Sequence, residues 1–341
     1  MRIFRFILWP IGILYGLGMF FRNKCYDWGV FSSQNIPIPV ISVGNLSVGG
    51  TGKTPHVDFI AELLNKKLKS AILLRGYGRK TKGYRLVTEK DTNATVGDEA
   101  LFYKLKHKKS IEVVVCENRV RGAIKICSDF PITKAILLDD AFQHRKIKRD
   151  IDILLIDFNR PYWRDSVLPA GRLREFSCGK KRAHIIIVTK APASISEDVK
   201  NKIIKRIRPN ENQQVFFSRI KYGEIIPFGN YKFQSPKHIL LVTGIATPFP
   251  LVEYLKTFSD VKHLRFNDHH DFSVKDLQEI HNLFDTFALE DKIIVTTAKD
   301  FMRLLRPDLK KMTDQYPWFY QDITIEIDRE KEFCTLIEKI C

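Results

Sequence analysis

SVGGTGKTPH, residues 47–56, places four small or glycine residues ahead of a Gly-Lys-Thr triplet and a proline. A short apolar run, PVISVGN (39–45), precedes it, and VDFIAELLNKKL (57–68) follows with apolar residues at helical spacing. Strand, bare loop and helix in that order form a cradle for phosphate: loop amides point inward, a lysine reaches the β and γ oxygens, and a hydroxyl next to it meets Mg²⁺. Gly52, Lys53 and Thr54 supply the end of the usual G-x-x-x-x-G-K-[ST] spacing, while Ser47 replaces its first glycine and Gly49, Gly50 and Thr51 fill the middle. Pro55 suits an early helical position, where a missing N–H costs nothing. An ordinary glycine turn explains the glycines but not the Lys-Thr pair between strand and helix. Val48 stands where a related class of ATPase switches carries a second lysine, which argues against a partitioning or membrane-switch ATPase.

A nucleotide loop needs acids nearby, and three acidic stretches offer them. LLDDAFQHR (137–145) ends an apolar run in Asp139 and Asp140, where a parallel sheet presents ligands and where a magnesium-side carboxylate is expected. VGDEA (96–100) gives Asp98 and Glu99; an Asp within reach of an attacking hydroxyl acts as base, and a plain helix cap is the alternative. NDHHDF (267–272) sets two histidines beside carboxylates, without the second histidine cluster that a metal site would require.

Further out, SAILLRGYGR (70–79), EVVVC (112–116), AILLDD (135–140), IDILLID (151–157) and HIIIVTK (184–190) are near-continuous apolar runs separated by helical stretches. That pattern predicts a doubly wound, mostly parallel α/β sheet buried on both faces. The segment around 214–234 alternates and carries turn residues, so it is expected to be a hairpin or crossover linker. Further strands are expected at 238–246, 261–266 and 292–300, forming a second, smaller α/β domain. The expected division is an N-terminal helix (1–24), a nucleotide-binding domain (25–220), a linker (221–235) and a C-terminal domain (236–341).

Residues 6–21 contain no charge, and as a helix they would span about 24 Å, short of the ~30 Å hydrocarbon core. Basic residues flank both ends, so no orientation across a membrane is favoured. A signal peptide lacks its cleavage site here, and a buried core helix is the plain alternative. The reading adopted is an anchor lying in the leaflet with Trp9 and Tyr15 near the headgroups.

The chain carries a formal charge of +17, which implies an anionic partner such as an anionic leaflet or a phosphorylated substrate. No recognised nucleic-acid motif supports nucleic acid as that partner. Six cysteines without framework spacing suit a reducing cytosol with neither disulfides nor zinc.

The ordered set SVGNLSVGGTGKTP (42–55), RGYGR (75–79), VGDEA, DDAFQH (139–144), LPAGRLRE (168–175), VTK (188–190), TGIATP (243–248), DHHDF (268–272) and TTAKD (296–300) strongly resembles the tetraacyldisaccharide 4′-kinase family over most of the chain. The resemblance implies a phosphate-loop domain plus a smaller α/β domain. It implies an ATP- and Mg²⁺-dependent kinase that phosphorylates the 4′-hydroxyl of a tetraacylated glucosamine disaccharide 1-phosphate in lipid A biosynthesis. It further implies work at the cytoplasmic face of a bacterial inner membrane, as a peripheral or monotopic protein among anionic lipids, and a monomer is expected. By the same resemblance Lys53 and Thr54 serve the triphosphate and Mg²⁺, and Asp98 is the base, supported by His269. Glu99, Asp139 and Asp140 are the magnesium-side acids. Tyr77, Arg79, Gln143, His144, Arg174 and Glu175 lie on the substrate side. Ala141 and Ala298 depart from the family's usual Gly and Glu, and no role is given to 296–300. The competing function is a membrane-tethered ATPase switch acting on a protein partner.

Overall fold

The computed structural model describes residues 2–339 except 230, 232–235, 269 and 288–290, with the side chains of 2–7 left aside. The chain opens with α1 (Arg2–Asp27), β1 (Val40–Asn45), α2 (Lys53–Asn65), β2 (Ser70–Leu74), β3 (Arg85–Leu86), α3 (Asn93–Val96) and α4 (Asp98–His107). It continues through β4 (Glu112–Val115), α5 (Arg119–Asp129), β5 (Ala135–Asp139), β6 (Ile151–Asp157), β7 (Ile185–Thr189), α6 (Glu197–Ile207) and β8 (Gln214–Pro227). The rest comprises β9 (His238–Thr243), α7 (Phe249–Leu255), β10 (Asp260–Arg265), α8 (Val274–Asp285), β11 (Lys292–Thr297), α9 (Ala298–Leu304), α10 (Pro307–Thr313), β12 (Trp318–Ile327) and α11 (Glu330–Glu338).

The strand order is β10-β9-β11-β12-β8-β7-β6-β1-β5-β2-β4-β3. In the first lobe β1 pairs in parallel with β5 on one side and β6 on the other, so the phosphate loop leaves the sheet at the point where the winding reverses. Its central strands are buried along their whole length, as near-continuous Val, Ile and Leu runs require once helices cover both faces.

The stretch expected to be a hairpin or crossover is instead one long strand. β8 pairs in parallel with β7 over Gln214–Phe217, then antiparallel with β12 from Ser218 to Pro227. Its hydrogen-bond partner is thus about a hundred residues away, in YPWFYQDITIEI, a segment whose alternation the sequence reading left unassigned. The C-terminal segment does not remain in its own lobe either. Ile325 and Ile327 of β12, with Phe333 and Ile337 of α11, complete the hydrophobic core under α2. Ala298 and Met302 of α9 enter that same core.

α1 is longer than its uncharged run and lies against the 167–176 segment. A Cβ on Gly12 would sit 3.2 Å from the Val167 carbonyl, and one on Gly16 would collide with the Phe176 ring at 2.5 Å. The helix therefore needs glycine on that face to approach so closely. Its other face leaves Trp9, Ile11, Leu14, Leu17 and Phe21 exposed, and Trp28, Val30 and Phe31 follow on the adjoining turn. No helix among the described residues is long and apolar enough to cross a membrane.

Candidate active site

The phosphate loop is held from behind by side chains that occupy its carbonyls. Lys190 Nζ donates to the Gly50 carbonyl, Thr189 Oγ1 to Thr51 at 2.9 Å, and His56 Nδ1 to Gly52 at 2.7 Å. Asn45 Nδ2 donates to Thr51 Oγ1 at 2.8 Å and closes the loop across its base. These bonds fix the carbonyl side of the loop, as a backbone cradle for an anion requires. Gly49 and Gly52 adopt φ of 107° and 86°, which side-chain-bearing residues rarely tolerate. Ser47 bridges to Leu173, and Val48 N–H donates to the Arg172 carbonyl, so the 166–174 segment is stitched to the loop. His56 is fully buried. Burial pushes its ring down to about 4, against the Gly52 hydrogen bond, so it stays neutral.

Lys53 opens α2 with its Nζ 3.8 Å from Asp140 Oδ2. Arg174 grips the same carboxylate with both Nη groups, at 2.7 and 2.9 Å. Burial alone would raise Asp140, but Lys53 and Arg174 outweigh it and hold the carboxyl below its ordinary value. Its neighbour differs. Asp139 ends β5 fully buried, and burial, then the charges of Glu99 and Asp140, lift it to about 7. Tyr103 Oη lies 3.0 Å from Asp139 Oδ2 and 3.2 Å from the Thr54 carbonyl. Among the described residues, the buried Asp139 Oδ1 has no hydrogen-bond partner. An orphaned carboxylate oxygen beside Glu99 and the first turn of α2 is a hard-oxygen donor set, which fits Mg²⁺. The adjacent aspartates thus have separate surroundings: Asp140 belongs to the cations, Asp139 faces the orphaned position.

α4 brings Asp98 and Glu99 to this place in its first turn, where carboxylates are favoured by the helix N-terminus. Gly97 precedes them at φ 89°, and a Cβ there would sit 2.7 Å from the Tyr77 carbonyl. The glycine-rich loop therefore abuts the start of α4, with the Tyr77 ring 78% exposed.

The other expected substrate-side residues divide. Arg79 is buried in an ion pair with Glu117 at 2.5 Å and also donates to the Gly83 carbonyl at 2.6 Å, which makes it a brace of its own loop. Glu175 is likewise withdrawn: 1% exposed, it is paired with Arg182 and accepts from Asn23 and Gln143. Gln143 Nε2 also donates to the Asn45 carbonyl at 2.8 Å, and its Oε1 lies 3.4 Å from Arg174. A line of contacts thus runs from α1 through Glu175 and Gln143 to Arg174 and Asp140. His144 keeps a buried Nε2 without a partner among the described residues, and burial with the charges of Arg119, Arg149 and Arg22 holds its ring down at about 4. His269 lies outside the described residues.

Sequence reasoning missed Tyr103, Arg119 and Arg303. Tyr103 follows Glu99 by one helical turn, which is its only sequence signal. Arg119 starts α5, 4% exposed, with its Nε buried and, among the described residues, unpartnered; burial and the like charge of Arg75 press it down to about 10. Arg303 Nε donates to Asp98 Oδ2 at 2.8 Å from the other lobe. Among the described residues, one grouping of metal-capable side chains, Asp58, Glu62 and His107, stands apart from this site, and the Lys106 ammonium sits 2.6 Å from Asp58.

The sequence model of the tetraacyldisaccharide-1-P 4′-kinase family matches residues 4–341. A tetraacyldisaccharide 4′-kinase of Phocaeicola vulgatus is 41% identical over 320 residues, covering 91% of this chain and 87% of that one. A protein of the same name from Cytophaga hutchinsonii is 39% identical over 342 residues, covering 98% and 96%. The crystal structure of LpxK from Aquifex aeolicus in complex with ATP superposes with a TM-score of 0.76 at 30% identity, covering 99% of both chains.

Proposed function

Since this chain belongs to the tetraacyldisaccharide-1-P 4′-kinase family, we propose a reaction in which the γ-phosphoryl group of ATP passes to the 4′-hydroxyl of a tetraacylated glucosamine disaccharide 1-phosphate, a step of lipid A biosynthesis. The observation that carries the reading is the meeting of the Gly-Lys-Thr loop with the acids of β5 and α4 at one end of the sheet. Loop amides and Lys53 take the β and γ oxygens. Asp98 removes the proton from the 4′-hydroxyl as its oxygen bonds to the γ-phosphorus. The bond from that phosphorus to the β–γ bridging oxygen breaks, and ADP leaves with the electron pair. Asp139, Glu99 and Thr54 would hold Mg²⁺, which when bound neutralises charge on the β and γ oxygens. Asp140 keeps Lys53 and Arg174 aligned.

Tyr77, His144 and Arg174 are the groups we place toward the disaccharide, with Arg79, Gln143 and Glu175 behind them as braces. His269, from the 268–272 motif, is kept as the support of Asp98 on resemblance alone. The exposed apolar face of α1, with Trp28, Val30 and Phe31, supports residence on a leaflet, and the basic balance of the chain suits anionic lipid on the cytoplasmic side of an inner membrane. Purified protein incubated with ATP, Mg²⁺ and the detergent-dispersed disaccharide lipid should form ADP and phosphorylated lipid in equal amounts. ADP formed without phosphorylated lipid would return the reading to an ATPase switch.

A further inference from the structure

Two motifs, TGIATP (243–248) and TTAKD (296–300), have no part in the reaction as written. In the structure they build one mount. Thr297 caps α9, accepting from the Asp300 N–H at 3.1 Å, and its hydroxyl donates to Asp300 Oδ2 at 2.7 Å. Asp300 is fully buried and also accepts from the Gly244 N–H at 2.9 Å. A Cβ on Gly244 would lie 3.0 Å from the Asp300 carboxylate, so glycine permits the approach. Asp300 Oδ1 then takes Arg303 Nη1 at 2.7 Å, and the Gly244 carbonyl lies 3.3 Å from the same nitrogen. The guanidinium held this way is 4% exposed and donates its Nε–H across the lobe boundary to Asp98 Oδ2. One turn earlier on α9, Lys299 approaches Glu99 at 3.5 Å. Each acid at the start of α4 therefore meets a cation from the second lobe.

We propose that Arg303 is a positioning residue for phosphoryl transfer, holding the Asp98 carboxylate so that Oδ1 meets the acceptor hydroxyl. This rests on Asp98 being the base. Among the described residues Oδ1 takes no hydrogen bond, whereas Oδ2 is fixed by Arg303. The proton of the 4′-hydroxyl goes to Oδ1 while its oxygen bonds to phosphorus. A buried ion pair contributes little net stability compared with apolar packing of the same shape. Ala298 and Met302 already supply apolar contact between α9 and the first lobe. A second-lobe cation placed on an acid that is 20% exposed beside the site is accounted for by orientation. Because the mount belongs to the second lobe, Asp98 is aligned only while the lobes are together, as closure-assembled sites require.

The test is a kinetic cycle with Arg303→Gln, Arg303→Lys, Asp98→Asn and the Arg303→Gln/Asp98→Asn pair, at saturating ATP and lipid. Arg303→Gln is expected to lower kcat about 10- to 100-fold, the scale of a misplaced reacting group, with KM for ATP changed by less than about twofold. Arg303→Lys should recover part of that loss, and in the Asp98→Asn background Arg303→Gln should cost almost nothing. The same factor lost in both backgrounds, or a wild-type kcat in Arg303→Gln, overturns the role and leaves the base in place. Near-normal turnover by Asp98→Asn alone overturns the base, and the role of Arg303 with it. Arg303→Gln strands the buried Asp300 carboxylate, so it is repeated with Asp300→Asn, which removes that charge; a folded double variant with wild-type kcat overturns the proposal equally.

Discussion

At the scale of single residues the site depends on adjacent groups placed in unlike surroundings. Lys53→Ala removes the ammonium that faces Asp140 and that we propose meets the γ-phosphate, so kcat should fall by about 10²–10³ or more, with circular dichroism unchanged. Asp139 gives a pH signature. Burial and its acidic neighbours raise it from 3.8 to about 7, so through that window the folded chain holds a proton that the unfolded chain has lost. Stability then declines as pH rises from about 4 to about 7. Asn at this position carries no such decline. In EDTA, urea unfolding should show Asp139→Asn gaining a few kcal/mol on the wild type between pH 5 and pH 8; a difference that stays constant with pH would refute the burial argument. That Lys53, Thr54, Asp98, Glu99, Asp139 and Asp140 would come together was legible because each sits at a strand end or helix start fixed by local pattern. The split between Asp139 and Asp140 was not, since Glu99, which with burial raises the one, and Lys53 and Arg174, which lower the other, are brought there only by the fold. Arg79 and Glu175 were less legible for a related reason: their motifs suggest a site, but only packing reveals Glu117 and Arg182 as their partners.

Among the elements, α1 joins two tasks. Its glycine face packs on the 167–176 segment, and Asn23, Arg22 and Tyr15 bond to Glu175 and to the carbonyls of Gln143 and Arg174. Its opposite face is apolar and open. Replacing Leu14 and Phe21, which are 69% and 58% exposed, with serine removes apolar area without touching those bonds. Each side chain is worth roughly 1–3 kcal/mol when buried, so cosedimentation with anionic vesicles should weaken at least tenfold while the melting temperature holds. Unchanged cosedimentation would mean that this face is not the one that meets lipid. The sequence showed the helix but not its two faces, because an uncharged run of 16 residues has no polar marks to orient it. β12 was missed through a different failure: its alternation is broken where the register shifts between Gln321 and Ile323.

Over the whole molecule, the most distant segments in sequence close one core. Phe333 of α11 is fully buried, with ring contacts to Phe59 of α2 at 6.3 Å and Phe216 of β8 at 5.4 Å. Phe333→Ala should cost about 3–5 kcal/mol, and the loss should appear in the melting of the nucleotide-binding half, measured as protection of that half by ATP against heat. Loss confined to the C-terminal half would contradict the packing. The first lobe was readable because its strands are near-continuous apolar runs separated by helices, even though β1 pairs with β5 and β6 about a hundred residues on; the return of β12 and α11 carries no such signal.

β8 and β12 are bonded to each other from Ser218 to Pro227 and from Phe319 to Ile327, whereas the backbone between the lobes runs on from Pro227 to His238. A cut between those two residues would give each fragment one half of an antiparallel pair and send α11 back onto the other fragment's core. The cleaved kinase should therefore run as two bands on a denaturing gel and one peak on native sizing. Two halves expressed from separate genes have, in that shared ribbon, the means to find each other and complement as a split enzyme.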